Sequence, residues 1–252
     1  MLLRLADTPD PAARPRAVAA CTGAEEAAYR TALYPPYHAH REPMPPELRE
    51  QWDKAPALLT GMGWTICHSD QLEADDVMFS LARAEQAAGG SSLLFTGDRD
   101  LYGAVSDASA FIELPKSGDP TTFGPDGVRE RYGIEPALVP DFIALRGDPS
   151  DGLPGAPGVG AKTAAQLLAA HGSLEAVIGA ALAGSGEIRP RIAAALSENA
   201  ELLRTFKQIA TLQSVPVSRP ADAPTDYAGG AATAERMGMR RLAERLRELA
   251  TA

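Results

Sequence analysis

The sequence predicts an α/β fold, a mostly parallel sheet flanked by helices, followed by an all-helical part. Three observations carry this. Short apolar runs alternate with helix-length amphipathic stretches up to about residue 113, the pattern of strands joined by crossover helices. From Gly124 onward helical stretches follow one another without an intervening strand signal. Between them lies a Gly/Pro-rich segment at 147–160, too rich in turn formers to be regular structure.

The elements follow in order. Residues 1–5 read as the last turns of a helix, and the apolar run 16–21 as a buried strand. Residues 24–44 have weak periodicity and end in a Tyr/Pro/His/Arg-rich stretch, read as loop or short helix. A helix at 46–61 has prolines before it and glycines after it. A strand at 64–67, a helix at 73–87, a strand at 92–96, a short helix at 101–105 and a strand at 108–114 complete this part. Helices are then expected at 125–132, 136–146, 161–170, 174–181, 190–212 and 233–249. The three prolines of 215–227 mark a surface excursion or linker. These readings divide the chain into an α/β core at 1–123, a helical part at 124–214, and a linker with a C-terminal helix at 215–252.

Composition narrows the function classes. No apolar run approaches the roughly 18 residues of a membrane span, and residues 1–10 do not read as a signal peptide. Cys21 and Cys67 have no metal-type spacing and imply no disulfide framework, so a cytoplasmic protein is expected. The 33 acidic against 24 basic residues give −9, which argues against nucleic acid unless the acids are gathered around cations.

Three motifs gather them. Glu73-Ala74-Asp75-Asp76 opens a helix directly after a strand; three acids mildly exceed what capping needs, and taken alone the motif is better explained by capping. In Thr96-Gly97-Asp98-Arg99-Asp100, both aspartates fall beyond the carboxyl end of a strand, where parallel sheets place ligands. A turn with an Asp helix cap is the plain alternative. Turn chemistry likewise accounts for Gly147-Asp148-Pro149-Ser150-Asp151-Gly152. Together, however, seven carboxylates on three element ends would repel one another strongly without a divalent metal. Hard oxygen donors in that number suit Mg²⁺ or Mn²⁺. Setting the seven aside leaves 26 acids against 24 bases, close to neutrality. Two such metals about 4 Å apart activate water and stabilise the leaving oxygen of a phosphodiester.

The segment Gly155-Ala156-Pro157-Gly158-Val159-Gly160-Ala161-Lys162-Thr163-Ala164 precedes a helix. It is no P-loop, because Ala161 separates Gly160 from Lys162 and no strand leads in. It fits a helix–hairpin–helix turn, whose glycines and helix N-terminus approach a DNA phosphate, with Lys162 and Thr163 adding donors. A glycine-rich loop with a helix cap is the plain alternative.

With these motifs assembled, the chain resembles the 5′–3′ exonuclease/flap endonuclease family, which includes the amino-terminal nuclease domain of bacterial DNA polymerase I and stand-alone phage and bacterial enzymes. The matching stretches are Leu33-Tyr34-Pro35-Pro36-Tyr37, residues 41–51, Glu73-Ala74-Asp75-Asp76-Val77, Thr96-Gly97-Asp98-Arg99-Asp100-Leu101, residues 145–164 and Gly172-Ser173-Leu174-Glu175. The resemblance implies a PIN-like nuclease core with a helix–hairpin–helix and metal-dependent cleavage of DNA with a 5′ end, nick or flap, in replication or repair. It implies Glu73, Asp75 and Asp76 around a first Mg²⁺ or Mn²⁺. Asp98, Asp100, Asp148 and Asp151 would hold a second, partly through water. Asp98, Asp100, Asp76, Arg30 and His38 become the catalytic candidates. Gly158, Val159, Gly160, Ala161, Lys162 and Thr163 would bind the duplex. Arg30, Tyr37 and Arg41 lie where the family positions the 5′ end. A K⁺ ion would sit on the carbonyls of Leu145, Arg146, Pro154, Ala156 and Val159. A monomer without membrane association is expected.

The departures from the family pattern are specific. Members open with a strand carrying Asp, then a helix, before the segment that residues 1–5 resemble. On that comparison the strand is missing here, and a start codon placed too far downstream would account for it. Cys21-Thr22-Gly23 stands where Phe-Asp-Gly is usual, Tyr37-His38 where Tyr-Lys is frequent, and Asp151-Gly152 where Asp-Asn is. The second metal site is complete by this reading, and the first lacks two carboxylates. A degenerate member that binds branched or nicked DNA is therefore the alternative. A small-phosphoester hydrolase comes third, because a small substrate needs no backbone-gripping hairpin.

Overall fold

The computed structural model describes residues 14–113, 120–184 and 186–251. Two parallel strand pairs form where the apolar runs lie. β1 (Ala19–Thr22) pairs with β2 (Thr65–His68), and β3 (Ser92–Phe95) with β4 (Ser109–Glu113). The segment from β1 to β2 contains helices α1 (Ala28–Leu33) and α2 (Pro46–Gly61), and α3 (Ala74–Ala87) joins β2 to β3. The expected sheet is thus divided in two among the described residues, and α3 packs against β1, β2 and β3, bridging the halves. A strand that the sequence reading missed, β5 (Thr121–Phe123), adds an antiparallel edge to β4. Its Thr-Thr-Phe run between Pro120 and Gly124 carries the β-branched and aromatic signal. The short helix after β3 is a 3₁₀ helix, Arg99–Ala104, capped by the Asp98 side chain accepting from the Asp100 amide at 3.0 Å. Residues 1–5 and Leu114 lie outside the described residues.

The second half is helical: α4 (Pro125–Tyr132), a 3₁₀ turn at Pro136–Leu138, α5 (Val139–Arg146), α6 (Ala161–His171), α7 (Leu174–Ala183), α8 (Pro190–Glu198), α9 (Ala200–Ala210), α10 (Tyr227–Arg236) and α11 (Arg240–Thr251). Two helices read as continuous are broken. At Asn199 the side chain donates to the Ala195 carbonyl at 2.8 Å, competing with the helix backbone and separating α8 from α9. At Gly238 a backbone angle φ of +76° ends α10 and turns the chain into α11. α10 also begins earlier than expected, because Asp226 accepts from the Gly229 amide at 2.8 Å as its cap.

Two apolar clusters hold these layers. The larger joins β3 and β4 to the helical half, and α5 packs on α9 through Phe142, Leu145, Leu203 and Phe206, each no more than 1 % exposed. Phe206 also meets Tyr34 edge-on, with ring centroids 5.1 Å apart. The smaller gathers Met62, Trp64, Ala231, Ala234, Ala243 and Leu246, seating the α10–α11 hairpin on the end of α2. In β1 and β2, Cys21 and Cys67 are register partners and both are free thiols. Burial, reinforced by Cys67 and Asp75, pushes the Cys21 thiol up to about 12, so it stays protonated at neutral pH.

The proline-rich segment before α10 is a strap tied down at several points. The Ala223 amide donates to the Arg16 carbonyl at 2.8 Å, and Trp64 Nε1 to Thr225 Oγ1 at 3.0 Å. Glu85 on α3 accepts from Arg16 Nε at 2.9 Å and from Arg219 Nε at 2.8 Å, clamping the excursion to α3 and to the segment before β1. Hydrogen bonds from Arg16 and then Arg219 lower the Glu85 carboxyl to about 2. Because the folded value lies below the ordinary one, the clamp stabilises fully above about pH 4.5 and weakens as pH falls toward 2. Glu85→Gln is therefore expected to lower the melting temperature by about 2–4 °C at pH 7. The difference from the parent chain should shrink on acidification in parallel melts. A constant difference down to pH 3 would show that charge at Glu85 is not what holds the strap.

Candidate active site

The three acidic motifs meet around one cavity of about 190 Å³, lined among others by Arg30, Tyr37, His38, Arg41, Glu73, Asp75, Asp98, Asp100 and Asp151. Local chemistry sets each motif. Glu73 caps α3 in a reciprocal capping box with Asp76, which turns Asp76 inward and leaves Asp75 in the open first turn. Asp98 and Asp100 follow β3 at the sheet's carboxyl end. Asp148 and Asp151 sit in a tight turn after α5, closed by paired bonds between Asp148 and Leu153 at 2.7 and 2.8 Å.

The seven carboxylates divide into two sets. Four are already claimed. Asp76 is fully buried; Arg30 grips it at 2.9 Å through both terminal nitrogens, and the Gln213 amide donates to it at 2.7 Å. Glu73 accepts from the Ala27 amide at 2.8 Å and the Tyr37 hydroxyl at 3.0 Å, with Arg30 3.0 Å away. Asp148 pairs with Arg146 at 3.0 Å and accepts from the Ser150 amide at 2.8 Å and from its hydroxyl. Asp151 takes His38 Nε2 at 3.0 Å and Arg41 at 3.1 Å.

The other three, Asp75, Asp98 and Asp100, make no ion pair among the described residues. Burial and then the charge of Asp98 push Asp75 up to about 7. Burial, with Asp98, Asp151, Asp148 and Asp75 in that order, holds Asp100 well above the carboxylate range. Asp98 is raised too, by burial ahead of Asp151 and Asp148, although the Asp100 amide favours its charged form. Asp98 opens onto the cavity, yet protein surrounds its other sides and weakens its hydration.

This geometry revises several expected roles. Asp76, expected as a metal ligand and catalytic group, has its oxygens engaged in a buried ion pair and serves to hold α3 against α1. Arg30, 4 % exposed and lining the cavity, donates to Asp76, Glu73 and the Ile209 carbonyl and so orders both acids. Tyr37, 3 % exposed, stacks on His38 at 3.7 Å between centroids and is a wall of the site, not a DNA-facing surface. His38 adopts a left-handed backbone (φ +56°) and is buried, with Nδ1 lacking a partner among the described residues; its Nε2 holds Asp151. Thr22 hydrogen-bonds His68 Nδ1 at 2.9 Å, and His68 reaches Asp70 at 3.0 Å. Arg41 remains half exposed at the cavity edge.

In the hairpin, Gly158, Gly160, Ala161 and Lys162 are exposed and Thr163 partly so. Val159 is 5 % exposed and anchors the turn in the core, so its side chain is no DNA contact. Gly158 needs its glycine (φ +80°), whereas Gly160 has an ordinary extended backbone with open space around it. Gly147 and Gly155 touch: a Cβ on Gly155 would lie 2.3 Å from the Gly147 nitrogen. That contact brings the backbone of Leu145 and Arg146 beside that of Pro154 and Ala156, with the Ala156 amide on the Leu145 carbonyl at 2.9 Å. Sequence reading singled out Arg146 for its carbonyl alone and overlooked its guanidinium on Asp148. It also overlooked Gln213, whose amide reaches Asp76 across 137 residues and for which the sequence carries no local signal.

Among the described residues, no group of three or more His, Cys, Asp or Glu side chains is placed to hold a metal ion as it stands. Asp75, Asp98 and Asp100 are unpaired hard-oxygen donors, the donor type that a hydrated hard cation takes.

Descriptions of two domains match the chain: the 5′–3′ exonuclease N-terminal resolvase-like domain over residues 1–133 and the 5′–3′ exonuclease C-terminal SAM fold over 134–225. The chain belongs to the 5′–3′ exonuclease family. It is similar to DNA polymerase I of Mycobacterium tuberculosis, 37 % identical over 210 residues, 82 % of this chain and 23 % of the polymerase. It therefore spans under a quarter of that relative's length. A 5′–3′ exonuclease of the same organism is 39 % identical over 189 residues, 67 % of this chain and 59 % of that one. Its fold matches the bacteriophage T5 D15 flap endonuclease in complex with DNA and metal ions, with TM-score 0.62 at 16 % identity, covering 93 % of this chain and 84 % of that one. No single helix among the described residues is long and apolar enough to cross a membrane.

Crowded carboxylates without counter-ions carry a measurable cost. At pH 8 in chelator, Asp100→Asn and Asp75→Asn, which each remove one repelling charge at nearly constant shape, should raise the melting temperature by about 2–4 °C. The same variants should weaken Mn²⁺ binding in calorimetry by about tenfold or more. A lower melting temperature in chelator would mean that these carboxylates have stabilising partners.

Proposed function

We propose that this chain is a divalent-metal-dependent DNA nuclease, a 5′–3′ exonuclease or 5′-flap endonuclease acting in replication or repair. The observation that carries the reading is the trio Asp75, Asp98 and Asp100, repelling one another at one cavity beside an exposed glycine hairpin. Family membership, and a relative of like fold complexed with DNA and metal ions, support the substrate and the cofactor class.

In this reading Asp75, Asp98 and Asp100 hold Mg²⁺ or Mn²⁺, two per site, and Glu73, Asp148 and Asp151 act from outside through water. When bound, such ions supply an acidified water and charge for the leaving oxygen. Arg30 and Tyr37 fix Glu73, and His38 and Arg41 fix Asp151. Arg41 also offers a cation to a phosphate at the cavity edge. The amides of Gly158, Gly160 and Ala161, with Lys162 and Thr163, grip the duplex backbone at the start of α6. The carbonyls of Leu145, Arg146, Pro154, Ala156 and Val159 would hold K⁺ beneath it. The protein acts as a cytoplasmic monomer, with the α/β core of residues 1–123 cutting, the helical part of 124–214 binding, and 215–252 as the strap and C-terminal appendage.

A second reading, a member that binds nicked or branched DNA and cuts poorly, is favoured by the internal cations that already neutralise Glu73, Asp148 and Asp151. One assay separates them: cleavage of a 5′-flap duplex with Mg²⁺ or Mn²⁺, alongside binding in chelator. Asp98→Asn should lower cleavage by about 100-fold or more while leaving chelator binding equal or tighter, because a charge that repels phosphate is gone. Lys162→Ala should weaken duplex binding evenly across sequences and flatten its salt dependence by about one phosphate contact. Binding without any cleavage would select the second reading. Cleavage that survives Asp98→Asn, or a sequence-selective loss in Lys162→Ala, would remove the corresponding assignment.

A further inference from the structure

Next to the acidic cavity lies a larger one of about 560 Å³, and the two share Asp98 and Asp100 as a common wall. Its opposite side is Ala161, the first residue of α6 after the glycine hairpin. The space is thus lined both by the acids and by the first residue after the hairpin.

Its lining includes two arginines, Arg99 and Arg146, among acids. Arg99 is 57 % exposed and leans on Glu113 at a loose 3.3 Å. Arg146 is held more firmly. Its guanidinium carbon lies 5.2 Å from the centroid of the Phe142 ring and 5.6 Å from that of Tyr132. One terminal nitrogen is 3.0 Å from Asp148, while its Nε is buried without a partner among the described residues. The guanidinium gives only one terminal nitrogen to Asp148, so N–H donors of its terminal nitrogens remain for a phosphate oxygen at the cavity wall. Asp148 itself stays in place without Arg146, because Ser150 binds it through amide and hydroxyl.

We propose that this second cavity is a phosphate subsite for the nucleic-acid backbone between the acidic site and the hairpin, with Arg146 and Arg99 as its cations. It rests on the DNA-binding part of the reading above and deepens it: the duplex is gripped at two separate phosphates, one at Lys162 and one at Arg146.

The test is fluorescence anisotropy of a labelled nicked duplex in chelator over a series of KCl concentrations, with melts of every variant. Arg146→Met, which keeps length for packing on the rings, should weaken binding about tenfold and lower the salt slope by about one. Arg99→Gln should lower the slope by a smaller step. Combining Arg146→Met with Lys162→Ala should lower it by about two, as separate phosphates require. Arg146→Lys should restore the slope but not the full affinity, since charge returns without the planar fork. Arg129→Gln, a surface arginine paired with Glu135 and Asp126, should change nothing. If Arg146→Met does not fold, Arg99→Gln and Arg146→Lys carry the test. An unchanged slope in a folded Arg146→Met, or no added loss in the double variant, overturns the subsite. Loss of slope in a chain that never cleaves with Mn²⁺ would keep the subsite and remove the nuclease reading.

Discussion

The buried pair of Arg30 and Asp76 joins three parts of the molecule. Arg30 comes from α1, Asp76 from the first turn of α3, and the pair is closed by the Ile209 carbonyl at the end of α9 and the Gln213 amide beyond it. Removing one partner of such a pair strands a charge away from water, at a cost of about 3–5 kcal/mol. The consequence extends past stability. With Asp76 locked inward, Glu73 is held by the same arginine, and Asp75 is the acid of that motif that lines the cavity without an ion pair among the described residues. One buried ion pair therefore determines which carboxylate is available.

The same division runs through the other motifs. Asp148 and Asp151 have cations of their own, yet their charge still adds to that borne by Asp98 and Asp100, which with Asp75 have no ion pair among the described residues. A chain with nine excess negative charges thus keeps its acids tolerable nearly everywhere except at one place. Such a concentration of unpaired charge is unfavourable for the isolated fold and useful for holding cations, the usual opposition between stability and a functional site.

Backbone shape does at the hairpin what charge does at the acids. The contact of Gly147 with Gly155 brings two chain segments closer than any side chain would allow, and Val159 pins the turn from below. The exposed amides at the start of α6 are then presented on a rigid base. The second cavity lies between these two devices, bounded by both.

Much of this was legible in the residues alone. Proline at the first helical position marked the starts of α2 and α4, because its fixed φ suits that position, and both helices have the limits read from sequence. The apolar run before Asp98 placed both aspartates beyond a strand end, and Gly-Val-Gly before a helix marked the hairpin. Those signals are local: backbone sterics and turn preference act over a few residues. What the tertiary structure decided was partnership. Arg30 meets Asp76 across 46 residues, Arg41 meets Asp151 across 110, and the Gln213 amide reaches Asp76 across 137. A sequence shows seven similar carboxylates. Only the folded chain, by bringing distant cations to Glu73, Asp76 and Asp151 and leaving Asp75, Asp98 and Asp100 unpaired beside one another, makes them different.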